Sequence, residues 1–160
     1  MRLMLVSVGR AKAGPERELA ARYIARAAAA GRAIGFSAVD LRELDESRAR
    51  RAEDRKEEEA KTVRALLGPS CSAIALDEGG KLMSSREFAR DLGRRRDEGA
   101  AALALVIGGP DGLTRSFCAS ASLALSFGPM TFPHQLARIM AAEQIYRAVT
   151  ILSGHPYHRD

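Results

Sequence analysis

The reactive groups of this chain concentrate at its C-terminal end, His155-Pro156-Tyr157-His158-Arg159-Asp160. Histidine moves protons near neutral pH, a tyrosine ring stacks on a nucleobase, and a guanidinium holds phosphate. That combination predicts a tail that handles a nucleotide rather than an inert terminus. His155 and His158 sit three residues apart, but no nearby Cys or carboxylate set completes a closed site, so no metal is expected. His134 follows Pro133 and precedes a helical pattern, where the ordinary roles are a helix cap or a packed ring.

A second group of candidates lies where apolar runs break at glycine. Residues 103–109 (LALVIGG) lead into Pro110-Asp111-Gly112, and residues 123–128 (LALSFG) lead towards Met130-Thr131-Phe132-Pro133-His134. Strand ends that break at glycine let a ligand approach bare backbone N–H and C=O groups. The ends at Leu76, Gly108 and Gly128 would together wall one pocket. The double glycine has a structural reading too, as a tight turn with positive φ. Phosphate signatures are missing: there is no G-x-G-x-x-G, no G-x-x-x-x-G-K-[ST] and no G-x-S-x-G. The pocket is therefore expected to hold an adenine or an amino-acid moiety by backbone groups.

The elements that would position these residues follow from pattern. Residues 3–8 read as a buried strand ending at Gly9, and Pro15 opens a helix to about Ala30 with Gly31 as its stop. Alternation around Ile34, Phe36 and Ala38 predicts a strand over 34–39. In the charge run 40–64 acids and bases nearly balance, so it reads as a solvated surface and not as an anion-binding arm. A mobile loop is expected over 41–51, then a helix ended by Gly68-Pro69. Residues 72–76 predict a third strand closed by a turn at Asp77-Glu78-Gly79-Gly80. Ser84 with Glu87 makes a capping box for a helix to about Arg96. A fourth strand over 103–107, a short helix capped by Thr114 to about Ala121, and a fifth strand over 123–127 complete the alternation. Strands alternating with helices imply an α/β fold, a single domain over 1–160 with a mainly parallel sheet flanked by helices.

The last helix, about 135–152, carries Leu136, Ile139, Met140, Ile145, Tyr146, Val149, Ile151 and Leu152. That apolar face is wider than packing on one sheet face requires, which predicts a homodimer. A helix tucked under the loops of a monomer is the alternative.

Composition bounds the partners. The 160 residues carry a formal charge of +5, from 25 Lys and Arg against 20 Asp and Glu, which favours an anionic partner such as RNA. Arg94-Arg95-Arg96 is a further candidate for an RNA-facing surface, or a solvated helix end. Cys71 and Cys118 are far apart with no CxxC, as expected of small buried hydrophobes in a reducing compartment. No signal peptide or membrane span is legible, and a cytoplasmic location is expected.

The chain resembles the RlmH family of SPOUT-class methyltransferases, which modify large-subunit rRNA. The resemblance spans essentially the whole chain. It rests on Ile74-Ala75-Leu76-Asp77 with Gly80-Lys81, on Ile107-Gly108-Gly109-Pro110-Asp111-Gly112-Leu113, on Met130-Thr131-Phe132-Pro133-His134, on Glu143-Gln144-Ile145-Tyr146-Arg147-Ala148, and on His155-Pro156-Tyr157-His158-Arg159. It departs only in the Arg-rich stretch 48–55. The resemblance implies a C-terminal trefoil knot, a homodimer, S-adenosylmethionine as methyl donor, and N3 of a pseudouridine in the helix 69 loop of 23S rRNA as acceptor. It also implies action on assembled 70S ribosomes. The implied cofactor site is Leu76, Gly108, Gly109, Gly128, Pro129, Met130, Thr131, Phe132 and Pro133. The tail would lie over the methyl group, His158 taking the proton and Tyr157 and Arg159 positioning the nucleotide. A non-catalytic RNA- or ribosome-binding protein is the competing reading.

Overall fold

In the computed structural model, which describes residues 1–158, the strands β1 (Arg2–Val8), β2 (Ala38–Leu44), β3 (Cys71–Leu82), β4 (Ala102–Ile107) and β5 (Leu123–Ser126) form one all-parallel sheet in the order β2-β1-β4-β3-β5. The two central strands, β1 (Arg2–Val8) and β4 (Ala102–Ile107), are buried along almost their whole length. This is why they read as continuous apolar runs: a parallel sheet covered on both faces has no solvent side.

Alternate residues of these strands supply two cores. Leu3, Leu5, Leu103 and Leu105 face helices α1 (Pro15–Gly31), α3 (Ser85–Asp97) and α5 (His134–Ser153). Met4, Val6, Ala104 and Val106 face α2 (Ala52–Leu67) and α4 (Arg115–Ser120), meeting Val63 and Phe117. Each fully buried aliphatic side chain contributes about 1.5–3 kcal/mol. The predicted caps form: Ser84 and Glu87 close a capping box, and Thr114 accepts from the N–H of Phe117.

Three expectations are corrected. The second strand is β2 (Ala38–Leu44), in register with all of β1, while Ile34 belongs to a short 3-10 turn. The stretch 41–44 is therefore strand and not loop; β2 is an edge strand, and its Arg42 stays exposed while Glu43 is half-buried. The third strand, β3 (Cys71–Leu82), does not stop at Leu76. It resumes pairing with β5 (Leu123–Ser126) at Lys81 after a register break. There Gly80 lies so close to β5 that a Cβ would come within 2.6 Å of the Leu125 carbonyl carbon. Finally, Cys71 and Cys118 are only half-buried, both as free thiols.

Helix α5 packs against both α1 and α3, burying Ala141, Ala142, Ile145, Tyr146, Ala148 and Val149. Much of its apolar width is thus used within one chain. Its most exposed large apolar side chain is Leu136 in the first turn, 46% exposed. No helix among the described residues is long and apolar enough to cross a membrane.

Candidate active site

The carboxyl ends of β1, β4, β3 and β5 share one edge, and the neighbouring strands β1 and β4 are followed by helices on opposite faces of the sheet. In an open α/β sheet the crevice outside that point is where ligands bind. The chain puts three clusters along this edge.

The first is a cavity of about 150 Å³ at the ends of β3 and β5. Leu76, Gly128, Met130, Thr131 and Phe132 of the expected set line it, with Asp77, Glu78, Phe127 and Ala137. Gly108, Gly109, Pro129 and Pro133 do not touch it. Ser126 shapes the loop: its Oγ donates to the Glu78 carbonyl (3.1 Å) and accepts from the Gly128 N–H (3.0 Å), and Gly128 has φ +120°. A larger, mostly apolar cavity of about 400 Å³ adjoins it, reaching Tyr23, Glu143 and Gln144. Phe127 lines both cavities.

The second cluster is the glycine loop after β4. Gly108 and Gly109 do not have positive φ; that conformation falls on Gly112, φ +82°. The double glycine instead serves close approach. A Cβ on Gly108 would sit 2.6 Å from the Gly112 carbonyl carbon, and Gly112 N–H donates to the Gly109 carbonyl at 2.9 Å. Helix α2 grips this loop from outside. Arg55 donates Nε and Nη2 to the two carboxylate oxygens of Asp111, at 2.7 and 3.0 Å, which holds Asp111 below the usual carboxylate range. One turn on, the Glu59 carboxylate lies against Gly109, 6% exposed, and burial raises its pKa.

The third cluster joins the start of α5 to the end of β1. Arg138 is 2% exposed and pairs with Glu43 at 2.6 Å while donating to the Gly9 carbonyl. Its Nε and Nη2 also both donate to Ser7 Oγ, at 3.2 and 3.0 Å. Two donors fill the oxygen's lone pairs, so the Ser7 hydroxyl proton is left for His134 Nε2, 3.0 Å away. Burial, with Arg138 nearby, lowers the His134 pKa, so the ring is neutral at pH 7. His134 is a packed ring; Pro133 occupies the cap position.

The described part of the tail lies elsewhere. Tyr157 donates to Glu143 (3.1 Å), packs on Tyr146 with ring centroids 4.6 Å apart, and lies under Arg147. Burial and its bonded neighbours Tyr23 and Glu143 push its phenol well above the ordinary value. His158 is half-buried, with Nδ1 3.0 Å from the His155 carbonyl. Neither residue lines the small cavity, and Arg159 lies outside the described residues. Arg94, Arg95 and Arg96 are engaged by Asp91, Glu98, Asp97 and the Ile34 carbonyl, at the opposite edge of the sheet. They form no free cationic surface. Among the described residues, no group of three or more His, Cys, Asp or Glu is arranged to hold a metal.

Sequence reasoning missed Arg55, Glu59 and Arg138. Only Arg138 left a signal: it shares the helical stripe of Ala141, Ala142, Ile145 and Val149, where a lone cation must find a partner.

A family model described as "Predicted SPOUT methyltransferase" matches residues 1–158. Proteins named "Ribosomal RNA large subunit methyltransferase H" are similar along their whole length. The one from Methylocella silvestris is 65% identical over 160 residues, covering 100% of both chains. That from Beijerinckia indica is 58% identical over 159 residues, covering 99% of each. Among solved structures, a probable methyltransferase from Bordetella pertussis Tohama I aligns with TM-score 0.50 at 17% identity, over 92% of this chain and 95% of that one. At that identity the likeness speaks to the fold alone.

Proposed function

We propose, for a chain that belongs to the SPOUT methyltransferase family, that it transfers a methyl group from S-adenosylmethionine to a nucleotide of 23S rRNA. The observation that carries this reading is full-length similarity to rRNA large subunit methyltransferases, at up to 65% identity among those compared. The finer reading is N3 of a pseudouridine in the helix 69 loop, modified on the assembled 70S ribosome. The net charge of +5 supports an RNA substrate.

The residues present suit the cofactor. The small cavity is lined by Leu76 and by Gly128, Met130, Thr131 and Phe132 of the loop after β5, none of them charged, which suits an adenine held through loop N–H and C=O groups. At about 150 Å³ the cavity is smaller than ordinary ligand sites, roughly 300–1,000 Å³. Phe127 lines both this cavity and the larger one, and a turn of its ring would join the two.

When bound, S-adenosylmethionine supplies a methyl group on a sulfonium, so no enzyme nucleophile is required. The chain must then orient the base and accept the N3 imide proton. His158 is the proposed proton acceptor, with Tyr157 and Arg159 as positioning groups. Tyr157 and His158 do not line the small cavity of their own chain; Met130 stands exposed on that cavity, Leu82 on the larger one, and Leu136 at the start of α5. A homodimer that covers these apolar groups and brings one chain's tail to the other's cavity accounts for both. The setting is cytoplasmic.

Calorimetry with S-adenosylmethionine and sedimentation at micromolar concentration test this reading. One cofactor per chain on a dimer is expected. A protein that binds rRNA but no cofactor would leave only the non-catalytic reading, and a monomer would remove the shared site.

A further inference from the structure

The loop joining β2 to α2 has an organisation that the proposed reaction does not use. Residues 45–51 follow the end of β2 and lie beside the glycine loop, to which Arg55 joins them. Exposure alternates, with Ser47 and Ala49 turned inward and Arg48 and Arg50 outward, followed by exposed Arg51.

The inward groups are fastened. Ser47 N–H donates to Glu59 at 2.9 Å, and its hydroxyl donates to Glu58. The Ala49 N–H donates back to Ser47 Oγ at 3.1 Å. Arg55 Nη1 donates to the carbonyls of Ala49 and Arg50, at 3.1 and 3.0 Å, while the same guanidinium forks onto Asp111. Asp45 is taken by Arg10 from the loop after β1. Asp45, Glu58 and Glu59 are thus engaged beneath or beside the loop, while Arg48, Arg50 and Arg51 face solvent and outnumber Glu46, the loop's other exposed acid.

We propose that the 45–51 loop is a docking edge for the phosphodiester backbone of RNA, held against the glycine loop by Arg55. The inference rests on the rRNA reading and names the surface that would meet that substrate. Three guanidiniums on a loop whose backbone is already fixed meet phosphates without an ordering cost for the main chain. Their position beside Gly109 and Asp111 puts the phosphates next to the strand ends where the cofactor is proposed to sit. RNA is the occupant that fits, because the edge offers arginine and no apolar surface.

The test compares wild type with the triple variant Arg48→Ala, Arg50→Ala, Arg51→Ala on ribosomes at several salt concentrations. Loss of up to three phosphate contacts flattens the slope of log KM against log salt by about 2–3, and raises KM about tenfold near 0.15 M salt. Affinity for S-adenosylhomocysteine is expected to stay within twofold, and the Tm to be unchanged. The triple lysine variant keeps the charges and retains the wild-type slope. Unchanged KM and slope in the alanine variant, with wild type active, would overturn the docking edge alone. A wild type that methylates no rRNA would instead remove the reading on which it rests.

Discussion

Arg138 occupies a position on α5 where the helical stripe calls for an alkyl side chain, and its guanidinium is buried with Glu43, Ser7 and the Gly9 carbonyl. A buried pair of this kind adds little over an apolar substitute, but removing one partner strands the other. Arg138→Met is expected to destabilise the fold by about 3 kcal/mol in denaturant unfolding. His134 adds a pH dependence. Its native pKa is lowered by burial, so as pH falls through about 6.5 the unfolded chain binds the proton first. Stability is then lost from pH 6.5 down to the lowered native value, and His134→Gln should flatten that part of the profile. An unchanged profile would mean that the ring is not held neutral by its surroundings. The glycines show why residue types alone do not reveal their reasons. Gly108 and Gly80 were legible as special, but their cause is close approach to backbone, at Gly112 and Leu125, which depends on the tertiary structure.

Helix α2 acts on the candidate site through two residues a turn apart, Arg55 on Asp111 and Glu59 against Gly109. Arg55→Ala should therefore loosen the glycine loop. The expected result is a rise of about tenfold in KM for S-adenosylmethionine with kcat changed less than twofold. A fall in kcat at unchanged KM would assign Arg55 to the chemistry instead. Element types were legible because apolar runs and caps are local: Ser84 with Glu87, Thr114, and Pro15 at the start of α1 all behave as their chemistry requires. The edge strand β2 was misplaced because its neighbour β1, not its own alternation, sets its register. Likewise β3 continues past Leu76 because β5 pairs with it again at Lys81, a partner with no trace in the local sequence.

For the whole molecule, parallel topology brings loops from distant parts of the chain to one edge. The cavity after β3 and β5, the glycine loop after β4 and the arginine-bearing loop after β2 meet there. Fold class and the glycine-ended strands were readable from 160 residues. The joining of α2 to the glycine loop was not, because Arg55 lies in an exposed-looking charge run and its partner Asp111 is 56 residues away. The trefoil knot belongs to the same proposal as the family chemistry; Gly80 marks only the close approach of the paired strands β3 and β5. The most direct measurement supplies methyl-labelled S-adenosylmethionine with 70S ribosomes, free 50S subunits or naked rRNA, and maps the labelled nucleotide. The expected outcome is label on N3 of a pseudouridine in the helix 69 loop of 23S rRNA, strongest on 70S ribosomes. Absence of transfer, or label on a uridine C5 or a ribose, would contradict the account.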